Sequence, residues 1–171
     1  MEHNSCILIP LTGMEWNGQI VRFGDSRETV ERILGASERV RDDLCCFKPG
    51  LRVEFDEAGR TKFIECVGGI DGAIQPQICG VKAFQAPADE LLEILRLHND
   101  GPVVDNEKGY FYGFLNLSVG IYRDSIPEDV DEMAAAVVAG DQNAAWIVIE
   151  DEKKRAYHWS AIGIGIENYY A

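Results

Sequence analysis

A short, sharply bounded helix signal at Phe23–Gly35 constrains the fold of this chain more than any other stretch. Asp25 or Ser26 can cap its first turn, and Gly35 suits the left-handed backbone position that ends many helices. A weaker form of the pattern returns at Phe84–Leu95, which begins 61 positions after the first. The spacing predicts that one helix-containing unit is used twice.

Each predicted helix is followed by a strand-rich section in which apolar and polar residues alternate, the period typical of β-strands. Short loops join the strands, which favours antiparallel meanders. Ahead of the first helix, Ser5–Ile9 predicts a strand and Gly13–Gly18 predicts a loop. The predicted strands after the two helices are Leu44–Phe47, Leu51–Phe55 and Thr61–Cys66, then Val103–Asp105, Tyr110–Tyr112 and Leu115–Arg123.

The last third of the chain departs from this repeat. Ser125–Glu128 predicts a capping box that opens a third helix, and Gly140 predicts its end. Trp146–Ile149 and Tyr157–Ile166 then predict a C-terminal β-hairpin. Isoleucines alternate with alanine or glycine along Ala161–Ile166, so either another element approaches the small-residue face of this strand closely or the small residues mark bulges.

Together these patterns predict an α+β fold of two tandem units, each a helix followed by an antiparallel meander. The units are expected to form one extended or shared antiparallel sheet, with a third helix and a C-terminal hairpin added. Residues 1–79 make the first unit and residues 80–171 the second. A chain of 171 residues can also form one compact domain.

The charge of the chain narrows the class of partner. The formal net charge is −13, and a surface this acidic repels phosphate backbones. We therefore expect no nucleic-acid partner and favour a basic protein partner. Positions 124–152, called the acidic segment below, hold nine acidic residues and no lysine or arginine. The segment predicts either a solvated face or an electrostatic docking surface.

Composition also bears on location. Apolar runs are far shorter than the about 20 residues that span a bilayer, and the N-terminal stretch lacks the regions of a signal peptide. We therefore expect no membrane partner and a cytoplasmic location. The cysteines have apolar neighbours and form no CxxC pair, which favours reduced, buried thiols. They are Cys6, Cys45, Cys46, Cys66 and Cys79.

No stretch carries a catalytic or metal-binding signature. The three histidines, His3, His98 and His158, have no cysteine, histidine or carboxylate at ligand spacing. Gly163 and Gly165 lie within a predicted strand, which is a poor setting for a phosphate loop. We therefore expect no cofactor, no metal and no enzymatic activity.

Tyrosines and acids are the candidate partner-binding groups. Alternation along Tyr110–Tyr112 puts both tyrosines on one face, so they are exposed if Phe111 faces the core. Exposed tyrosines often anchor protein interfaces, although packing under a helix or loop is the alternative. The candidate residues are Tyr110, Tyr112, Tyr122, Glu128, Asp129, Asp131 and Glu132.

The stretch from Val21 to Gly35 resembles the opening of the tandem α/β repeats of β-lactamase inhibitor protein and of the small lipoprotein of the outer-membrane assembly machinery. The layout also resembles small, acidic immunity-type proteins of bacterial toxin systems. These resemblances imply helices packed on an antiparallel sheet and a role in binding other proteins. The repeat pattern is GxSxxxVxxxLG, and its positions are held by Gly24, Ser26, Val30, Leu34 and Gly35.

Charge, repeat and resemblance together predict a non-enzymatic protein-binding module, an inhibitor or immunity-like protein that covers a basic partner. The alternative is a small-ligand-binding protein or enzyme with a pocket between the two units. A deep pocket lined by Cys45, Cys46, His158 or buried acids favours the ligand. An acidic surface with exposed tyrosines favours the protein partner.

Overall fold

The computed structural model describes residues 4–137, 140 and 142–171. Over these residues the chain forms α-helices and two mostly antiparallel β-sheets, which confirms the predicted α+β class. No helix in this part of the chain is long and apolar enough to cross a membrane.

The elements have the following bounds. The strands are β1 (Cys6–Ile9), β2 (Gly13–Trp16), β3 (Gln19–Arg22), β4 (Ser37–Arg41), β5 (Leu44–Phe47), β6 (Leu51–Phe55), β7 (Thr61–Val67), β8 (Gln77–Ile78), β9 (Val81–Lys82), β10 (Val103–Val104), β11 (Phe111–Phe114), β12 (Val119–Tyr122) and β13 (Ala161–Gly165). The helices are α1 (Arg27–Leu34), α2 (Ala88–Asn99), α3 (Pro127–Val137) and α4 (Gln142–Tyr157), with a short 3₁₀ turn at Gly69–Asp71.

The larger sheet has eight strands in the order β10-β11-β12-β13-β7-β6-β5-β4, each antiparallel to its neighbours. Two meanders form its halves, and β13 lies between them. The smaller sheet has the order β3-β2-β1-β8-β9, in which β1 and β8 are parallel. Residues 1–79 and 80–171 thus contribute strands to both sheets, while the division into two repeated units stays a prediction.

The main core lies between one face of the larger sheet, called the inner face, and the smaller sheet with α1 and α2. Cys6 of β1 and Cys66 of β7 are both buried, and their Sγ atoms lie 3.7 Å apart between the two sheets. The indole N–H of Trp159 donates to the carbonyl of Ala88 at 2.9 Å, which holds the start of α2 against the residues that lead into β13. The opposite, outer face carries none of these elements.

The helix predicted at Phe23–Gly35 is confirmed. Ser26 Oγ accepts the backbone N–H of Thr29 at 3.3 Å, and Gly35 ends α1 with a φ of 93°. Val30 is fully buried at the centre of the apolar stripe. The N-cap, the buried apolar face and the C-terminal glycine of this stretch therefore all have structural roles.

Two predicted boundaries are wrong. Gly13–Gly18 is not a loop, because its first four residues form β2 and pair with both β1 and β3. Leu115–Arg123 is a strand only in its second half, β12. The reason is a side-chain contact from α2: Asn99 Oδ1 accepts the N–H groups of Asn116 and Leu117 at 2.9 and 3.0 Å and holds a turn there.

The predicted C-terminal hairpin is also wrong. Trp146–Ile149 lies within helix α4, and only the latter part of Tyr157–Ile166 forms a strand, β13. Helix α4 packs against α3 around Val130, Ile149 and Ala156, which form a small second core. The seven-residue spacing from Ile149 to Ala156 places both on one helix face.

The capping box predicted at Ser125–Glu128 does not form. The Ser125 hydroxyl is buried and has no hydrogen-bond partner among the described residues. Instead, Asp129 Oδ2 accepts the backbone N–H of Ile126 at 3.1 Å, so the start of α3 is capped from within its own first turn. The predicted end of this helix near Gly140 lies next to residues outside the described ranges.

Candidate binding surface

A row of paired residues crosses the outer face of the larger sheet. The cross-strand pairs are Gly113 with Gly120, Gly120 with Gly163, Gly163 with Glu65, and Glu65 with Arg52. The three glycines leave one end of the row without side chains, so another part of the chain can lie directly on the backbone. The other end carries a charged pair.

The C-terminal tyrosines occupy the space above the glycines. A Cβ added to Gly163 would lie 2.7 Å from Tyr170 Oη, which shows how closely that ring approaches the strand. Tyr169 stacks on Phe63 with 4.4 Å between ring centroids, and its hydroxyl donates to Glu54 Oε2 at 2.8 Å. The predicted close approach to the small-residue face of β13 is therefore confirmed.

An aromatic recess of about 320 Å³ opens beside these tyrosines. Glu65 is the one formally charged residue among those that line it. Gly120 and Ala161 form part of its floor, so the aromatic rings lie over residues with little or no side chain. The aromatic walls of the recess are Phe63, Phe111, Tyr122, Tyr169 and Tyr170.

A larger cleft of about 460 Å³ continues from the aromatic recess toward the C-terminal end of α4. The two cavities share Glu65, Tyr122 and Ala161. Because both halves of the larger sheet contribute to the cleft, it lies between the two predicted units. Its charged and ionisable lining residues are Arg52, Glu65, Asp71, Tyr122, Asp124, Asp151, Lys154, Arg155 and His158.

Glu65 is the half-buried carboxylate that both cavities share. Its Oε1 lies 3.1 Å from Arg52 Nη1. Burial raises the pKa of Glu65, and the Arg52 guanidinium opposes this shift because it favours the ionised carboxylate. The Arg52 guanidinium thus favours the ionised form of a carboxylate whose ionisation burial disfavours.

The cleft can hold a polar or charged group. His158, expected on a strand, instead follows α4, and its Nδ1 lies 3.1 Å from the carbonyl oxygen of Lys154. Because a carbonyl only accepts, Nδ1 is the donor, and Nε2 is the basic nitrogen of the neutral ring. Among the described residues, which exclude His3, no group of three potential ligands could hold a metal ion.

The exposure of Tyr110 and Tyr112 was predicted on the condition that Phe111 faces the core. Strand β11 has the opposite orientation. Tyr112 faces the core and packs edge-on against Trp159, with 5.8 Å between ring centroids. Phe111 lies on the outer face against Tyr170, also at 5.8 Å. Since exposure of Tyr112 required Phe111 to face the core, the expectation of an exposed Tyr112 is wrong.

The other candidate residues fall into two places. Tyr110 donates its hydroxyl hydrogen bond to the carboxylate of Asp129, which joins it to the start of α3. Tyr122 lies on the outer face, 40% exposed, at the junction of the aromatic recess and the cleft. The exposed acids of α3 are Glu128, Asp131 and Glu132.

Sequence reasoning missed an apolar surface on α4. Trp146, Ile147 and Val148 are 46%, 74% and 53% exposed. Consecutive apolar and β-branched residues predict a buried strand, which is why their exposure on a helix was not expected. The sequence does contain one indication of a helix here, the four-residue spacing of Asp151 and Arg155. These two residues form an i,i+4 ion pair at 2.8 Å, which is typical of a helix surface.

Comparison with models of protein families, with curated protein sequences and with solved structures finds no match to this chain. The resemblance of Val21–Gly35 to the tandem α/β repeats therefore stays an expectation. Function has to be argued from the surfaces described above.

Proposed function

We propose that the protein is a non-enzymatic binding module that inhibits or neutralises a basic protein by covering part of its surface. The observation that supports this proposal best is the exposed apolar surface of α4, formed by Trp146, Ile147 and Val148. It lies inside the acidic segment, in which no lysine or arginine occurs.

Exposed neighbouring apolar side chains with a polar surround are typical of protein-binding surfaces. Tryptophan is among the residues that contribute most to binding when a partner covers it, because its large ring loses much contact with water. Carboxylates around such an anchor attract a basic partner at long range and raise the association rate. The two features together favour a basic protein over a neutral one.

Helix α3 packs directly against α4 and contributes further negative charge to the same pair of helices. Its exposed carboxylates, Glu128, Asp131 and Glu132, form no ion pair with another described residue. Uncompensated carboxylates keep their full attraction for a cationic partner. These residues are the exposed acidic members of the candidate site, and in this proposal they steer the partner and do not anchor it.

The proposal is tested in two steps. The purified protein first captures a partner from an extract of its native host, and the affinity is then measured by calorimetry with both purified proteins. We expect a basic partner, weaker binding at high salt, and an affinity at least about tenfold lower for the double variant W146S/I147S. Leu97→Ser is the matched control, since Leu97 is 78% exposed on α2, outside the acidic segment.

Two results would contradict the proposal. One is a purified complex whose affinity does not change with salt, because the acidic segment would then contribute nothing. The other is an equal loss of affinity in Leu97→Ser and in the α4 variant, since the contact would then not be specific to α4.

The cleft favours a second candidate, a small-ligand-binding protein or enzyme. Its volume of about 460 Å³ falls within the range of small-molecule sites, and it is lined by His158 and the half-buried Glu65. A low-molecular-weight fraction of host extract that raises the Tm of the native protein but not of the His158→Ala variant would select this candidate.

A further inference from the structure

We infer that the aromatic recess receives a lysine or arginine side chain of the basic partner, an inference that rests on the proposed function. The recess lies on the outer face of the larger sheet, whereas the apolar surface lies on α4. The two are therefore separate contact points, and they can be tested separately.

The walls of the recess have the chemistry that a cation requires. Aromatic ring faces carry negative electrostatic potential and attract ammonium and guanidinium groups. Tyr122 stands at the mouth and is 40% exposed, so its ring is accessible from solvent. Inside, the rings of Phe111 and Tyr170 pack together with 5.8 Å between their centroids, and Tyr170 lies directly on Gly120, which fixes the position of these walls.

The charges around the recess favour a cation over an anion. Glu65 is the one charged residue in the lining, and its partner Arg52 lines the cleft but not the recess. At the mouth, burial raises the pKa of the Tyr122 hydroxyl. The negative charges of Asp124 and Glu107 raise it further. An anionic ligand would meet these carboxylates without a cation in the recess to offset them.

The cleft next to the recess is more mixed in charge. Arg155 pairs with Asp151 at 2.8 Å, and Lys154 has no ion-pair partner among the described residues. A long cationic side chain therefore finds its most favourable site at the recess end and not beside Lys154. The recess volume of about 320 Å³ lies at the lower end of the range of ligand sites, so it has room for the head group of a lysine or arginine side chain.

The first test uses the native protein and two small probes. N-acetyl-arginine amide carries the guanidinium, and N-acetyl-citrulline amide is its neutral near-isostere. We expect the arginine probe to shift the NMR signals of the Tyr122 and Phe111 rings in a saturable manner, with little shift from the citrulline probe. Equal shifts from both probes would overturn the inference, because charge would then not be what the recess recognises.

The second test uses the purified partner. Tyr122→Leu and Phe111→Leu each remove a ring but keep an apolar side chain, and circular dichroism confirms folding. We expect each variant to weaken partner binding about tenfold, as for other aromatic anchors. Tyr157→Leu is the control, since Tyr157 is 46% exposed on α4 and lines neither cavity.

The outcomes separate this inference from the proposed function. If W146S/I147S weakens partner binding while Tyr122→Leu and Phe111→Leu bind normally, the inference fails and the proposed function stands. If no protein partner binds but the arginine probe still shifts the rings, a free small cation is the occupant, and both the proposed function and the partner side chain are overturned.

Discussion

Arg123 is a buried cation that binds carbonyl groups where a carboxylate would be the usual partner. Its Nε donates to the carbonyl of Gly109 at 2.9 Å and its Nη1 to the carbonyl of Ala156 at 2.7 Å. The guanidinium carbon lies 4.7 Å from the ring centroid of Trp159. No ion pair to Arg123 occurs among the described residues. The side chain thus joins the end of β12 to α4.

We predict that Arg123→Met lowers the free energy of unfolding by about 3 kcal/mol, because two buried carbonyls lose charged donors. Urea denaturation followed by circular dichroism measures the change. Arg39→Met is the control and is expected to be near neutral, since the Arg39 side chain is 61% exposed. Similar stabilities for the two variants would show that the carbonyl contacts of Arg123 contribute little.

At the residue scale, the sequence predicts burial better than it predicts orientation. Cys6, Cys45 and Cys66 are buried, as their apolar neighbours indicate, and Cys46 and Cys79 are half-buried. The orientation of β11 could not be obtained in this way. A period of two shows which residues share a face, but both faces of this strand carry aromatic residues, so the core side is not marked.

At the scale of elements, strand β13 and the C-terminal tyrosines form one unit. Gly163 and Gly165 leave the outer face of the strand without side chains, and the rings of Tyr169 and Tyr170 cover it. A Cβ added to Gly163 would lie 2.5 Å from Phe63 Cζ as well as close to Tyr170. Both rings would have to move to admit a methyl group.

Gly163→Ala is therefore expected to destabilise the fold by about 2 kcal/mol, the usual scale of overpacking, and to increase the mobility of the two tyrosines. Thermal unfolding and NMR relaxation of the tyrosine rings measure these effects. Gly140→Ala provides the control, because none of the residues that the structure describes lies within 4 Å of a Cβ at that position. A Gly163→Ala protein with native Tm and rigid rings would refute the close-packing argument.

The helices differ in how well they can be predicted from the sequence. Helix α1 has a cap, a stripe and a stop within one short stretch, so local signals suffice to predict it. Helix α4 contains Trp146–Ile149, whose β-branched residues favour a strand. It is a helix because Ile149 and Ala156 pack against Val130 of α3, and a contact with another helix leaves no local mark in the sequence.

At the scale of the whole molecule, five tyrosine phenols share one direction of pKa shift. The hydrogen bond to Asp129 raises the pKa of Tyr110 to about 12, from an ordinary value of 10.0. Burial raises the pKa of four further tyrosines: Tyr112, Tyr122, Tyr169 and Tyr170. The folded chain therefore holds its phenolic protons more tightly than the unfolded chain.

When the pKa of a tyrosine is higher in the folded chain than in the unfolded chain, its protonated phenol stabilises the fold at pH values below the unfolded-state pKa. This stabilisation is lost as the pH rises through the folded-state pKa. We predict that the urea midpoint falls as pH increases from about 10 toward 12. The Tyr170→Phe variant should show a shallower decline, and a constant midpoint over this interval would contradict the prediction.

The topology of the larger sheet shows where prediction from local patterns ends. The helices α1 and α2 and the strands β5 to β7 follow from local patterns. The position of β13 does not, because Ala161 pairs with Val67 across 94 positions of the chain. The same limit applies to the binding surface: the small residues of β13 predict a close approach, but not that tyrosines make it or that a recess opens beside them.

The central position of β13 has a consequence for how the molecule is made. The two meanders precede it in the chain and have no direct pairing with each other, so each stays a separate sheet until β13 is available. Before that point β7 and β12 both present unpaired backbone groups along an open edge, the kind of edge that pairs with other chains. A chain interrupted before Ala161 would therefore be a risk for aggregation as well as a shorter protein.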